Sequence, residues 1–156
     1  MLQALAKERG LESQVRFFGV IPPSEIPAWL AKSDVGILPI RCDVFLEFAF
    51  PNKLPEYIIM GKPVIISRLR TIRHYFSEEA LGFFEPNSAA DLARQMARVY
   101  GDRGLRARLS SRAREEYAPI RWEVMKQRYL KLVGDLVGVA VENPERCRES
   151  ADRARV

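Results

Sequence analysis

Cysteine and histidine are scarce in this chain, and their scarcity excludes several kinds of site. Two cysteines and one histidine occur among 156 residues. Cys42 and Cys147 are far apart and neither belongs to a CxxC pair, so a disulfide framework or a zinc site is not expected. With His74 as the single histidine, we expect no metal cofactor.

Long apolar runs are also absent. No stretch approaches the roughly 18 apolar residues that a membrane-spanning helix needs. Residues 1–10 lack the basic start and the apolar centre of a signal peptide. We therefore expect a cytoplasmic protein, and its charge leaves open a peripheral attachment to a membrane surface.

The composition that remains is that of one compact soluble domain. Hydrophobic residues make up 47% and charged residues 29% of the chain, a composition that suits a folded core. The length of 156 residues is too short for two ordinary domains. The net charge is +5, with basic residues in excess in Lys62–Arg73 and Arg103–Lys131. Such a field suits nucleic acid, anionic lipid or a phosphate-bearing small molecule. The sequence has neither an aromatic stacking platform nor helix-turn-helix spacing, so we expect no nucleic-acid binding. The simplest interpretation of Arg103–Lys131 is a solvated helix face.

Short apolar runs alternate with segments of helical periodicity, which predicts an α/β fold. A helical stripe opens the chain and ends at Gly10, and a second helix follows Ser24, a candidate N-cap. Asn52 or a neighbour starts a short helix that Gly61 ends. Four strands are predicted: Val15–Gly19, Val35–Ile40, Pro63–Ser67 and Gly82–Glu85.

Three amphipathic helices follow the last strand, each with an apolar stripe at helical spacing. The stripes consist of Leu92, Met96, Val99 and Tyr100, then Leu105, Leu109, Ala113 and Tyr117, and finally Trp122, Met125, Tyr129, Leu132, Val133 and Leu136. Trp29 and Trp122 lie on apolar helix faces, so we expect both to pack in the core. Residues 1–141 form the domain, and residues 142–156, which are almost free of apolar side chains, are predicted to be a disordered tail.

Strands that alternate with helices predict a doubly wound, Rossmann-like parallel sheet covered on both faces. Such a sheet normally opens with a strand whose following loop carries phosphate-binding glycines. The sequence instead opens with a helix and contains neither GxGxxG nor a P-loop. We therefore expect an incomplete sheet.

The segment Phe50–Ser67, FPNKLPEYIIMGKPVIIS, carries the candidate chemistry. Pro55 fits only the first turn of a helix, which holds Glu56 near the helix N-terminus at the carboxyl edge of the sheet, where ligands bind. The Glu56 carboxylate could accept hydrogen bonds from two hydroxyls of a sugar such as ribose, and Lys53 could contact a phosphate. Alternatively, Glu56 only complements the helix dipole and Lys53 is solvated. The residues alone do not decide between these interpretations.

The chain resembles the C-terminal, nucleotide-sugar-binding domain of GT-B glycosyltransferases, in particular the retaining glycosyltransferase family 4, or glycosyl transferases group 1. The matching segments are VRFFGVIPPSEIPAWLAKSDVGILPI, FPNKLPEYIIMGKPVIIS, GFFEPNSAADLARQMARVY and RWEVMKQRYLKLV, in family order. The resemblance covers roughly residues 1–137. It implies a hexosyltransferase that uses a nucleotide-diphosphate sugar as donor.

The resemblance also implies roles for individual residues. Glu56 corresponds to the second glutamate of the E-x7-E motif, which binds the ribose hydroxyls. Lys53 and Leu54 would line the pocket near the diphosphate and sugar. Gly19 and Pro39 correspond to the residues that end two strands beside the donor. The first glutamate of the motif is replaced by Phe48, and the nearest acid, Glu47, is one position away.

The family's first two strands, their diphosphate-binding arginine and lysine, and the N-terminal acceptor domain have no counterpart in this sequence. We therefore expect a truncated chain with little transferase activity by itself, and no catalytic residue can be named. The closing helix, which crosses to the acceptor domain in relatives, would expose apolar surface and favour self-association.

Two further questions stay open at the level of sequence. Arg68, Arg70, Arg73 and His74 follow a predicted strand and could meet phosphate or sugar, but an exposed surface loop explains them as well. The alternative to a transferase is a non-catalytic α/β module that binds nucleotides or other proteins. A receiver-like module is disfavoured because only Asp34 and Asp43 lie near a predicted strand end.

Overall fold

A computed structural model describes residues 2–138 of the chain. A boundary between two compact units falls between Ser33 and Asp34. None of the helices in the described part is long and apolar enough to cross a membrane. The predicted tail, residues 142–156, lies outside the described residues, and so does the end of the predicted domain at residue 141.

The first unit contains helices α1 (Leu2–Glu8) and α2 (Ile26–Lys32). Gly10, with a φ of 65°, follows α1 as predicted. Ser24 does not cap α2, which corrects the sequence prediction: it lies in a 3-10 turn, Pro23–Glu25, and Glu25 takes the N-cap position. The reason is Pro27, which has no N–H to donate to a cap and fits better in the first turn of a helix that starts at Ile26.

The predicted strand Val15–Gly19 is not a strand in the structure. Its backbone pairs with no other strand among the described residues, and Phe17 and Phe18 remain 41% and 47% exposed. A β-strand is stabilised by its ladder of hydrogen bonds to a neighbour, so an apolar run without one stays irregular. Instead, the Phe18 ring packs against Trp29 of the same unit, with 4.3 Å between ring centroids.

The second unit is built on a three-stranded parallel sheet. Its strands are β1 (Gly36–Leu38), β2 (Val64–Ser67) and β3 (Gly82–Phe84), in that spatial order. Ile37 lies opposite Ile65, and Ile66 lies opposite Phe83. Three of the four predicted strands are therefore confirmed, with ends that differ by at most two residues.

Five helices accompany this sheet: α3 (Lys53–Ile59), α4 (Arg70–Tyr75), α5 (Ala89–Gly101), α6 (Arg103–Tyr117) and α7 (Trp122–Val137). Ser88 and Asp102 cap α5 and α6 with side-chain oxygens that accept backbone N–H groups of Asp91 and Leu105. The Asp91 carboxylate also accepts the N–H of Glu85 at 2.7 Å, and this hydrogen bond lowers the pKa of Asp91.

The sheet has an apolar core on each face, as predicted for a doubly wound fold. One cluster combines side chains of β2 and β3 with α3 and α4, and it comprises Leu54, Ile58, Val64, Ile66, Leu69, Ile72, Phe76, Ala80, Leu81, Phe83 and Ala113. The other cluster, on the face towards α5, comprises Ile65, Phe84, Val99, Leu105 and Leu109. Alternate residues of β2 enter opposite clusters because successive side chains of a strand point to opposite faces.

Helix α7 has an exposed apolar side, as expected for the closing helix, but the separate prediction that Trp122 packs in the core is wrong. Trp122, which we expected in the core, is 69% exposed, and much of the rest of its stripe is exposed too. The periodicity correctly predicted a helix, but the described part of the chain offers no surface that covers its apolar side.

Candidate functional site

The carboxyl edge of the sheet gathers the segments that follow the three strands. The hydroxyl of Ser67 donates to the backbone oxygen of Ile40 at 2.6 Å, which joins the ends of β1 and β2. The N–H of Arg68 donates to the backbone oxygen of Phe84 at 2.8 Å, which joins the ends of β2 and β3. The Ser67 side chain is fully buried, so its hydrogen bond fixes this edge firmly.

Helix α3 is seated against β1 through a glycine. A Cβ built on Gly36 would lie 2.6 Å from the ring of Tyr57, so only glycine allows this close approach. Asn52 precedes the helix as predicted, although its side chain caps nothing. Gly61, with a φ of 69°, follows its end. This contact fixes the position of Lys53 and Glu56 in the first turns.

Lys53 and Glu56 form an ion pair. The Lys53 Nζ lies 2.8 Å from Glu56 Oε2, and the side chains are 50% and 38% exposed. An exposed pair of this kind contributes little to stability and is easily rearranged. Both groups are therefore accessible to a ligand, and the predicted roles of Glu56 and Lys53 in donor binding remain predictions.

The other predicted binding residues have different surroundings. The Leu54 side chain is completely buried in the core cluster on the α3 face, and its N–H donates to the backbone oxygen of Pro51. Pro39 is exposed after β1. Gly19 belongs to the first unit, where its φ is 67°. The structure thus joins Lys53 with Glu56, whereas Leu54 acts as a core residue.

A cleft of about 610 Å³ lies at this edge, beside the contact between α4 and the 3-10 turn Leu46–Phe48. Its lining does not include Lys53 or Glu56; the lining residues are Glu47, Phe48, Arg68, Arg70, Thr71, Arg73, His74 and Tyr75. Arg70, Arg73 and His74 lie on helix α4, so the prediction that they belong to a surface loop is wrong. The side chains of these three residues are nevertheless exposed, as expected.

Glu47 has a role that the motif did not predict. Its Oε2 accepts the backbone N–H of Arg70 at 3.0 Å, and its Oε1 accepts the thiol of Cys42 at 3.3 Å. The hydrogen bond to Glu47 raises the pKa of the Cys42 thiol. In sequence, Glu47 was notable only as an acid one position away from the motif. The structure shows that it ties the 3-10 turn to the start of α4.

Arg68 is held in place by acids and an aromatic ring. Its guanidinium hydrogen-bonds Glu78, its Nε lies 2.8 Å from Glu85 Oε1, and it lies over the Phe83 ring at 5.3 Å. The hydrogen bond to Glu78 raises the pKa of Arg68. Its charge is therefore largely balanced by its own neighbours.

Comparison with known proteins now identifies the family. The family model of glycosyl transferases group 1 matches residues 1–116, which include the whole sheet and the residues discussed above. The chain belongs to this family.

One curated relative and two solved structures are similar to parts of this chain. TuaH of Bacillus subtilis, whose name assigns it to teichuronic acid biosynthesis as a glycosyltransferase, is 27% identical over 86 residues, which are 55% of this chain and 22% of TuaH. Anabaena HepE, solved in complex with UDP, matches with a TM-score of 0.73 and 20% identity over 86% of this chain and 36% of HepE. The C-terminal domain of the group 1 protein LpcC from Francisella tularensis has a TM-score of 0.64 and 21% identity over 75% of this chain and 58% of that domain.

These structural matches establish the fold of the group 1 chain. It has the α/β fold of the C-terminal domain of GT-B glycosyltransferases, as the sequence predicted. The chain spans about a fifth of the length of TuaH and about a third of the length of HepE.

Proposed function

We propose that this chain is the donor-binding part of a glycosyltransferase that moves a hexosyl group from a nucleotide-diphosphate sugar to an acceptor hydroxyl. The observation that carries the proposal is the family match over residues 1–116. The complexes of HepE with UDP and with UDP-glucose support a nucleotide sugar as the ligand.

In this proposal the exposed pair of Lys53 and Glu56 opens when the donor binds. The Glu56 carboxylate accepts hydrogen bonds from the ribose hydroxyls, and the Lys53 ammonium contacts the diphosphate. Pro39, which is exposed after β1, lines the donor pocket, and Leu54 supports it from the core. The role of Gly19, which belongs to the first unit, stays a prediction. The 2.8 Å separation of the Lys53 and Glu56 charges supports the proposal that both groups contact the same donor.

We further propose a retaining reaction, in which the acceptor hydroxyl attacks from the side on which the diphosphate leaves. Its main requirement is electrostatic stabilisation of the leaving diphosphate. Lys53 alone supplies only part of that charge, so we expect donor binding with little turnover by this chain. We also expect no dependence on a metal ion, because the sequence has a single histidine and no CxxC pair.

The acceptor domain is the partner that this function requires. The exposed apolar side of α7, which includes Tyr129, Leu132 and Leu136, is a surface through which such a domain or a second copy of the chain could bind. We place the protein in the cytoplasm, with peripheral attachment to a membrane as the alternative.

Titration calorimetry with UDP, GDP and ADP tests donor binding. Replacing Glu56 by alanine is expected to weaken the preferred nucleotide by about tenfold or more, because a hydrogen bond to a charged group contributes about 1.5–3 kcal/mol. Glu123→Ala is the matched control: Glu123 is also an exposed acid in the first turn of a helix, 3.8 Å from an arginine. We expect its effect to stay within about twofold.

Two results would contradict the proposal. One is the absence of binding for all three nucleotides at millimolar concentration. The other is equal binding by the Glu56→Ala chain and the Glu123→Ala chain, which would remove the carboxylate of α3 from the site.

A further inference from the structure

The cleft between the 3-10 turn Leu46–Phe48 and α4 contains more positive than negative charge. Three arginines line it, whereas Glu47 is its single acidic residue. The Glu47 carboxylate already accepts hydrogen bonds from the Arg70 N–H and the Cys42 thiol. Its one negative charge is smaller than the combined charge of the three arginines, and it forms no salt bridge with any of them among the described residues.

The three arginines differ in their partners. Arg68 is paired with Glu78 and Glu85. Neither the Arg70 nor the Arg73 guanidinium has a carboxylate partner in the part of the chain that the structure describes. Because Arg70 and Arg73 are three residues apart on α4, they project from the same side of the helix. The cleft thus has two exposed guanidinium groups that no carboxylate among the described residues pairs with.

Aromatic rings lie beside these groups. The Arg70 guanidinium is 5.9 Å from the centre of the Phe48 ring, and Phe48 is 64% exposed. Tyr75, which also lines the cleft, is 42% exposed. Exposed aromatic residues next to cations suit a ligand with an apolar face and an anionic substituent, and a sugar that carries a negative charge has both.

We propose that Arg70 and Arg73 bind a negatively charged sugar unit, whose anion is a carboxylate or a phosphate ester. Guanidinium groups recognise both anions through paired hydrogen bonds. Phe48 and Tyr75 contact the ring of the sugar. As a statement about substrate, this inference rests on the proposed transferase function: the charged sugar is part of the donor or of the acceptor, and its anion is separate from the diphosphate assigned to Lys53.

The cleft and the α3 pair are separate in the structure, which supports two separate anion contacts. Lys53 and Glu56 do not line the cleft, and among the described residues Glu56 forms no salt bridge with Arg70 or Arg73. A ligand that occupied only the diphosphate position would leave the α4 arginines unpaired.

Amide chemical shifts of the 15N-labelled full chain test the inference with small probes at millimolar concentration. Glucuronate and glucose 6-phosphate distinguish the two sources of the anion, glucose is the neutral control and inorganic phosphate lacks the ring. We expect at least one charged sugar to shift the amides of residues 70–75, to bind at least about fivefold more tightly than inorganic phosphate, and to lose about tenfold in affinity in the Arg70→Gln/Arg73→Gln variant.

The control variant is Arg103→Gln/Arg128→Gln, which removes the same charge from two exposed helix positions. It should bind the charged sugar like the unmodified chain. The inference is overturned if glucose produces the same shifts, if inorganic phosphate binds as well as both charged sugars, or if the α4 variant retains the affinity. Unchanged β2 amides show that the variant is folded.

A parallel titration with UDP separates this inference from the donor-binding proposal. Shifts in residues 70–75 with a charged sugar, without any response to UDP, would support the α4 site and contradict the donor site. A response to UDP around residues 53–56, without any response to the charged sugars, would support the donor site and contradict the α4 site.

Discussion

Strand β2 and the segment Val15–Gly19 have similar patterns and different structures. Both are short runs of β-branched or aromatic residues, VIIS and VRFFG. Each residue of β2 is at most 1% exposed and lies between β1 and β3, whereas Phe17 and Phe18 are close to half exposed and pair with no strand in residues 2–138. An apolar run therefore shows which residues favour burial, but a strand also requires a neighbour that shares its hydrogen bonds.

Helices α6 and α7 repeat this contrast. The stripe of α6 is covered: Leu105, Leu109 and Ala113 are buried. On α7 the corresponding residues Leu132 and Leu136 are 59% and 77% exposed. Both helices form because helical periodicity and local propensity are sufficient for the backbone, whereas coverage depends on what packs against them.

The largest loss of stability is expected from a substitution in β2, compared with one in the unpaired segment Val15–Gly19. Replacing Ile66, which is fully buried, by alanine should lower the free energy of unfolding by about 2–5 kcal/mol, because it removes contacts and leaves a cavity between β2 and its flanking helices. Phe17→Ala should cost clearly less, since the larger Phe17 ring is already 41% exposed. Urea unfolding followed by circular dichroism measures both.

The exposed Ile59, on α3, provides the control for that measurement. It is 64% exposed, so Ile59→Ala should change stability by no more than about 0.5 kcal/mol. Equal losses for Ile66→Ala and Phe17→Ala would mean that Val15–Gly19 is as well packed as β2, and the comparison would fail.

The fold could be predicted from sequence where the interactions are local, or where the described chain contains every strand that a predicted strand pairs with. Gly61 ends α3 as expected, and three predicted strands form because each has its neighbour in the described chain. Val15–Gly19 could not be predicted correctly from its own residues, since its state depends on pairing. The same holds for Trp122, whose burial depends on a surface that periodicity does not reveal.

The site was predictable only in part. The sequence singles out Lys53 and Glu56, but their ion pair, which three-residue spacing in one helical turn allows, is a finding of the structure. The contact from Glu47 to the Arg70 N–H spans 23 residues and depends on how α4 meets the 3-10 turn. No sequence pattern predicted that contact, and without it the cleft could not be recognised.

A smaller loss of stability is expected from a substitution at the contact between α3 and β1. Gly36→Ala should destabilise the chain by about 1–3 kcal/mol, because the added methyl group would overlap the Tyr57 ring. Gly101→Ala is the matched control: nothing lies within 4 Å of its added Cβ, and its φ is not positive. That change should be neutral or stabilising by up to about 1 kcal/mol. Thermal unfolding of both variants checks the difference, and a neutral Gly36→Ala would show that α3 is not held by this contact.

The smallest effect on stability is expected on α7, where the contrast with α6 is sharpest. Leu132→Ser should change the free energy of unfolding by no more than about 0.5 kcal/mol, because 59% of Leu132 is exposed already. If the apolar side of α7 binds a second copy, the same change should shift sedimentation velocity profiles towards monomer, while Lys131→Ala on the same turn leaves them unchanged. A large loss of stability would instead show that α7 is packed like α6, because a serine is costly only where a leucine is buried.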